Sequence, residues 1–139
     1  MDNTLKRFLD AQEKDYAIAL REMRQGYKSS HWMWYIFPQI SGLGISRTAQ
    51  YYEIKNIDEA KEYINHPVLG KRLIEISQVL LKNESNDAAL VMGYPDNLKL
   101  RSCMTLFAVV APEHDVFQKV LDKFFDGKKD DATIAIIER

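Results

Sequence analysis

The chain has 139 residues, 46% hydrophobic and 28% charged, the size and composition of one globular domain able to bury roughly two thirds of its unfolded surface without a metal or a disulfide. Nineteen Lys and Arg residues stand against 20 acidic ones, and the resulting net charge of -1 supplies no field to gather a nucleic-acid backbone; bulk nucleic acid is excluded as a partner, a local basic pocket is not. A lone cysteine, Cys103, excludes an internal disulfide, no apolar run nears the roughly 18 residues that span a bilayer, and residues 1–7 lack a leader pattern, so no membrane is expected and the expected location is the cytoplasm.

Residues 4–25 space Leu5, Phe8, Leu9, Tyr16, Ala19, Leu20 and Met23 at helical intervals, with Gln12 the one polar interruption and Gly26 as the stop. Arg7, Asp15 and Glu22 fall among the mixed charges of the opposite, solvated face. Ser30 is placed to cap a short helix from His31 to about Ile36, which Pro38 ends. Residues 30–39 hold both tryptophans, a tyrosine, a phenylalanine and one of the three histidines. Such density marks either the centre of a core or the wall of a pocket.

A loop with Gly42 and Gly44 then feeds a short helix capped by Ser46. Backbone N–H groups there, with Arg47, could face an anion, although the Gly-Lys-Ser/Thr ending of a phosphate-binding loop is missing and a plain flexible connection accounts for the same residues. Asn56 caps the next helix, and His66-Pro67 begins another with Leu69, Leu73, Ile76 and Leu80 inward. Asp87 to Met92 reads as a short helix ended by Gly93. From Pro95 to about Ala111 a longer, central helix buries Leu100, Cys103, Met104, Phe107 and Val110, with Lys99, Arg101, Ser102 and Thr105 on neighbouring faces. Pro112-Glu113 begins a helix that Gly127 stops, and residues 130–137 fit a terminal helix or a short strand, with Asp130 and Asp131 at the start favouring the helix. The expected architecture is all-α: one compact helical bundle over residues 1–139, of about six to eight helices.

Residues 30–39 (Ser-His-Trp-Met-Trp-Tyr-Ile-Phe-Pro-Gln), 66–70 (His-Pro-Val-Leu-Gly) and the segment from Asp96 to Phe107 together resemble a family called domain of unknown function 1810, some of whose members carry a calpastatin label. The resemblance covers nearly the whole chain and departs from the family pattern at Tyr35, usually Phe, and Cys103, usually Ser. It implies an all-helical single domain and brings no catalytic residue or cofactor. The calpastatin label carries no weight, since those inhibitors are largely unstructured and this composition is globular.

Two functional classes follow. In the first, a pocket takes an anionic or nucleotide-like small molecule. Trp32 or Trp34 would stack on it, Gln39 would hydrogen-bond, and Arg47, Lys99 and Arg101 would hold its charge beside Ser102 and Thr105. If the protein is an enzyme, hydrolysis with His31 or Asp96 as acid or base is the reaction to test. In the second, the aromatic patch meets a partner protein, without catalysis. No cofactor is expected. A metal site is not expected either, because His31, His66 and His114 are scattered and no second cysteine exists to pair with Cys103.

Overall fold

Residues 96–110 form the helix around which the rest packs. A computed structural model describes residues 5–139; among these it has nine helices, α1 (Lys6–Gln25), α2 (Met33–Ile36), α3 (Arg47–Tyr52), α4 (Ile57–Asn65), α5 (Leu69–Leu81), α6 (Ala88–Met92), α7 (Asp96–Val110), α8 (Val116–Phe125) and α9 (Asp131–Ile137). The class is all-α, with nine helices where six to eight were expected. Thr4, the expected start of the first helix, lies outside the described residues.

Helix α7 touches α4, α6, α8 and α9, and α5 packs across α1, α4 and α8. The burial of α7 explains its composition: Leu100 and every residue from Ser102 to Phe107 are buried, so its middle is enclosed on all sides, as a helix apolar nearly all round must be. Around it lie Phe8, Met23, Tyr63, Leu69, Phe117 and Leu121, with Tyr63, Phe107 and Phe117 in a chain of tilted ring contacts 5.6 and 5.7 Å between centroids.

Helix starts follow their caps where a cap exists. Ser46, Asn56, Asp87 and Asp130 each accept a main-chain N–H of their own first turn, which fixes α3, α4, α6 and α9 where the sequence puts them. Three starts are corrected. Ser30 caps nothing: its hydroxyl donates to Glu22 Oε2 at 2.5 Å, and α2 begins at Met33. Helix α5 starts at Leu69, after Pro67, because His66 Nδ1 accepts the N–H groups of Val68 and Leu69 at 3.1 and 3.2 Å and takes the capping role itself. Helix α8 starts at Val116, leaving Pro112-Glu113 in the preceding turn.

The solvated face expected of α1 is corrected as well. Glu22 is buried, and Arg7 reaches across to the carbonyls of Tyr51 and Glu53 and to Glu59 Oε1 at 2.8 Å. Gln12, the polar interruption of the stripe, is buried with its amide donating to Tyr35 O at 2.8 Å and Tyr63 Oη at 3.0 Å.

The segment that carries α3 is pinned at both ends. Ser41 N donates to Ile54 O and Ile54 N to Gln39 O, at 2.7 and 2.8 Å, in one isolated parallel bridge between Ile40 and Ile54. Gly44 lies so close to Ala49 that a Cβ added there would sit 2.5 Å from the Ala49 Cβ. The loop is thereby folded down onto α3 and faces the start of α7.

Candidate functional site

Between that loop and the first turns of α7 lies a cavity of about 390 Å³, within the range of small-molecule sites. Gln39, Leu43 to Ser46 and Ala49 form one wall, Pro95, Leu98, Lys99, Arg101 and Ser102 the other, and Asp130, the cap of α9, closes an end. A narrow niche with room for about one water continues beneath it, lined by Trp34, Tyr52, Glu53 and again by Gln39 and Lys99.

The two cations of the wall are held differently. Arg101 donates from Nε to Lys128 O at 2.9 Å and from Nη2 to Lys129 O at 2.8 Å, and among the described residues no carboxylate oxygen lies within 4.0 Å of it. Its guanidinium is thus fixed in direction by neutral acceptors and has no ion-pair partner among the described residues. Lys99 sits 5.5 Å from the Trp34 ring centre and 3.5 Å from Asp96 Oδ1, one turn back on the same helix. The opposite end of Asp96 meets Lys28 at 2.9 Å, and Lys28 Nζ also donates to Ser30 O at 2.6 Å and lies 5.0 Å from the Trp32 ring.

Asp130 organises the third side. Its Oδ2 accepts Thr133 N at 3.0 Å and Thr133 Oγ1 at 2.6 Å and lies 3.2 Å from Ser102 Oγ, while its own N–H donates to Thr105 Oγ1 at 2.9 Å. The start of α9 is therefore fastened to α7 through the two polar groups, Ser102 and Thr105, that interrupt the apolar character of α7.

Behind the pocket, Glu22 ties down the aromatic segment. Its carboxylate accepts Ser29 N, Ser30 N, Ser30 Oγ and the Trp32 indole N–H, the last at 2.9 Å. Burial opposes the charge, but the hydrogen bonds from Ser30, Ser29 and Trp32 outweigh it and hold the carboxyl down to about 2. Tyr35 donates its hydroxyl to Asp15, and burial together with that bond raises its pKa.

A sequence match to the family described as protein of unknown function (DUF1810) spans residues 2–137. The chain belongs to DUF1810. Its fold is that of the conserved hypothetical protein Rv1873 from Mycobacterium tuberculosis, whose crystal structure matches with a TM-score of 0.95 at 39% identity, over 97% of this chain and 96% of that one. No curated protein matches it significantly.

In this DUF1810 chain the residues singled out from sequence divide into two groups. Gln39, Lys99, Arg101 and Ser102 meet on the pocket wall, and Trp34 lines the niche below. His31 is exposed and Arg47 is exposed at the start of α3; neither lines the pocket. Trp32, 1% exposed, and Thr105 lie in the interior, held by Glu22 and by the Asp130 N–H respectively. Asp96 is an ion-pair partner of two lysines and stands behind the wall rather than in it. His31 thus stands apart from the pocket, and Asp96 meets it only through its ion pair with Lys99.

Leu43, Ile45, Leu98 and Asp130 were not singled out from the sequence for this site. For Asp130 the sequence signal is that of a helix cap alone, whereas an isoleucine between Gly44 and Ser46 is a large apolar side chain in a glycine loop, a mark that could have drawn attention. Among the described residues no group of three His, Cys, Asp or Glu side chains is placed to hold a metal, and no helix is long and apolar enough to cross a membrane.

Proposed function

We propose that this DUF1810 protein binds an anionic small molecule in the pocket between the loop from Leu43 to Ser46 and the start of α7. One observation carries the reading: Arg101 is aimed by two main-chain carbonyls, lines the cavity and has no carboxylate partner among the described residues. A protein that only needed to fasten α7 to the segment before α9 could do so with a neutral donor. A fixed guanidinium without an ion-pair partner instead offers a charge-assisted bond to an incoming oxyanion at little reorganisation cost. Lys99 and Gln39 add a second cation and an amide on the same wall, and the N-terminal end of the 15-residue α7 adds its positive dipole.

The reading is one of binding. Among the described residues His31 and Asp96 do not line the cavity, and the one carboxylate that does, Asp130, is engaged by Thr133 and Ser102. A cytoplasmic setting belongs to the same proposal, supported by the single buried thiol of Cys103.

The test is a thermal-shift screen of the intact protein against organic acids, sugar phosphates and nucleotides, repeated with Arg101→Gln. Stabilisation that grows with ligand concentration and vanishes in the variant is the expected result, since a ligand specific to the folded state must raise its melting temperature. Ligands that shift parent and variant alike would remove Arg101 from the site. A silent screen would turn attention to the aromatic patch as a protein-binding surface.

A further inference from the structure

Resting on that binding reading, the composition of the pocket wall says which kind of anion it suits. Two cations, Lys99 and Arg101, face one carboxylate, Asp130, so the wall has a single net positive charge. Lys99 is further shared with Asp96 at 3.5 Å, and Glu53, whose carboxylate accepts the Ser41 hydroxyl at 2.9 Å, lines the niche below. A di- or triphosphate entering here would bring two or more charges than the wall can balance, next to two acids that repel it.

Beside the neutral polar groups of Gln39, Ser46 and Ser102, the remainder of the wall is apolar. Leu43, Ala49, Pro95 and Leu98 line it together with Ile45, which stands 93% exposed at the mouth, while Leu98 is 45% exposed. A side chain as apolar as isoleucine, presented to water by a loop that is pinned at Ile40–Ile54 and packed through Gly44 on Ala49, leaves about its whole surface available for burial. Charge and apolar surface thus line the same cavity.

We infer that the pocket takes a monoanionic organic acid: one carboxylate on Arg101 and Lys99, joined to an apolar body that covers Ile45, Leu98 and Leu43. The volume of about 390 Å³ admits a body of this kind. Inorganic phosphate would leave the apolar lining wet, and a nucleoside polyphosphate would be over-charged.

The experiment is isothermal calorimetry on the intact protein with acetate, butyrate, hexanoate, octanoate and 4-phenylbutyrate, set against inorganic phosphate, AMP and ATP. Affinity is expected to climb roughly threefold to fourfold per methylene through the straight-chain series. Ile45→Ser and Leu98→Ser flatten that climb, weakening octanoate far more than acetate. Arg101→Gln weakens every carboxylate by about tenfold or more. Because Arg101 also holds two carbonyls, Lys99→Gln, which leaves those bonds intact, carries the same test if Arg101→Gln melts early. Equal affinity for acetate and octanoate, or tighter Arg101-dependent binding of ATP or phosphate, overturns the ligand class and leaves the pocket standing. Carboxylate binding indifferent to both cation variants, or no heat from any probe, overturns the pocket as well.

Discussion

Glu22 and Trp32 are joined by a 2.9 Å hydrogen bond from the indole N–H to a buried carboxylate, and through it the N-terminal helix holds the segment that carries the aromatic motif. Replacing the carboxylate by an amide turns one acceptor into a donor that faces the donors of Ser29, Ser30 and Trp32. Glu22→Gln should cost about 2 kcal/mol of stability, as for a buried charge-assisted network left partly unpaired, measured by urea denaturation at neutral pH. Equal midpoints in variant and parent would show that these four bonds contribute nothing net.

The same carboxylate gives the protein a defined acid response. Its folded pKa, about 2, lies below the value of roughly 4.3 of a free glutamate, so the folded state binds its proton less tightly than the unfolded one. Stability from Glu22 is therefore fully present above the unfolded value and is lost as pH falls through the interval down to about 2. Denaturation midpoints of the parent should fall more steeply between pH 5 and roughly pH 2 than those of Glu22→Gln. Parallel curves would assign the acid sensitivity to other carboxylates.

Gly70 of α5 lies directly against the backbone of α4, and a Cβ added there would lie 1.9 Å from Ile64 O. The obstacle is backbone, which cannot swing away. Gly70→Ala is expected to destabilise by about 3 kcal/mol or to prevent folding. Gly93→Ala is the comparison: it meets nothing within 4 Å, and its penalty, about 2 kcal/mol, comes from the backbone alone, since φ +81° with ψ 158° is a region essentially only glycine adopts. Thermal melts of the two variants side by side check the contrast.

Cys103 is fully buried in α7, and burial pushes its thiol well above the ordinary range. The native protein should resist a thiol-specific reagent such as DTNB for as long as it stays folded and should release one equivalent when unfolded in guanidinium. Fast labelling of the native protein would mean that α7 opens locally.

Asp130 caps α9 and reaches Ser102 on the pocket wall. Asp130→Ala should lose about 1 to 2 kcal/mol from the missing cap. It should also strengthen anion binding by removing the one carboxylate of the wall, provided the start of α9 holds its place. Weaker binding in a variant that still folds would show that Asp130 acts chiefly by placing that wall.

The parts of this structure that could be read in the sequence are those decided locally. Ser46, Asn56, Asp87 and Asp130 cap their own helices through bonds spanning two or three residues, so residue type and position suffice. At the starts of α2, α5 and α8 the residue in the cap position, Trp32, Val68 or Asp115, makes no side-chain cap bond, and these starts were misplaced by two to four residues. Glu22 was misread for a related reason. Helical periodicity sorts it with the charged face, and its burial depends on donors seven to ten residues away in a segment of irregular backbone.

The candidate site divides in the same way. Lys99, Arg101 and Ser102 stood out because polar groups on a helix as apolar as α7 need a reason. Ile45 and Asp130 joined them only through tertiary folding, and Trp32, equally conspicuous in sequence, spends its indole on the core.

The pocket draws its walls from Gln39 at one extreme and Asp130 at the other, so most of the chain must be in place before the cavity exists. A molecule lodged there would act as a removable staple between distant stretches of polypeptide, closing a long loop without a covalent bond. Its influence would extend past the few side chains it touches. Release of the molecule would loosen the hold between the glycine loop, the central helix and the last helix together, so occupancy and the integrity of the whole bundle would rise and fall as one quantity.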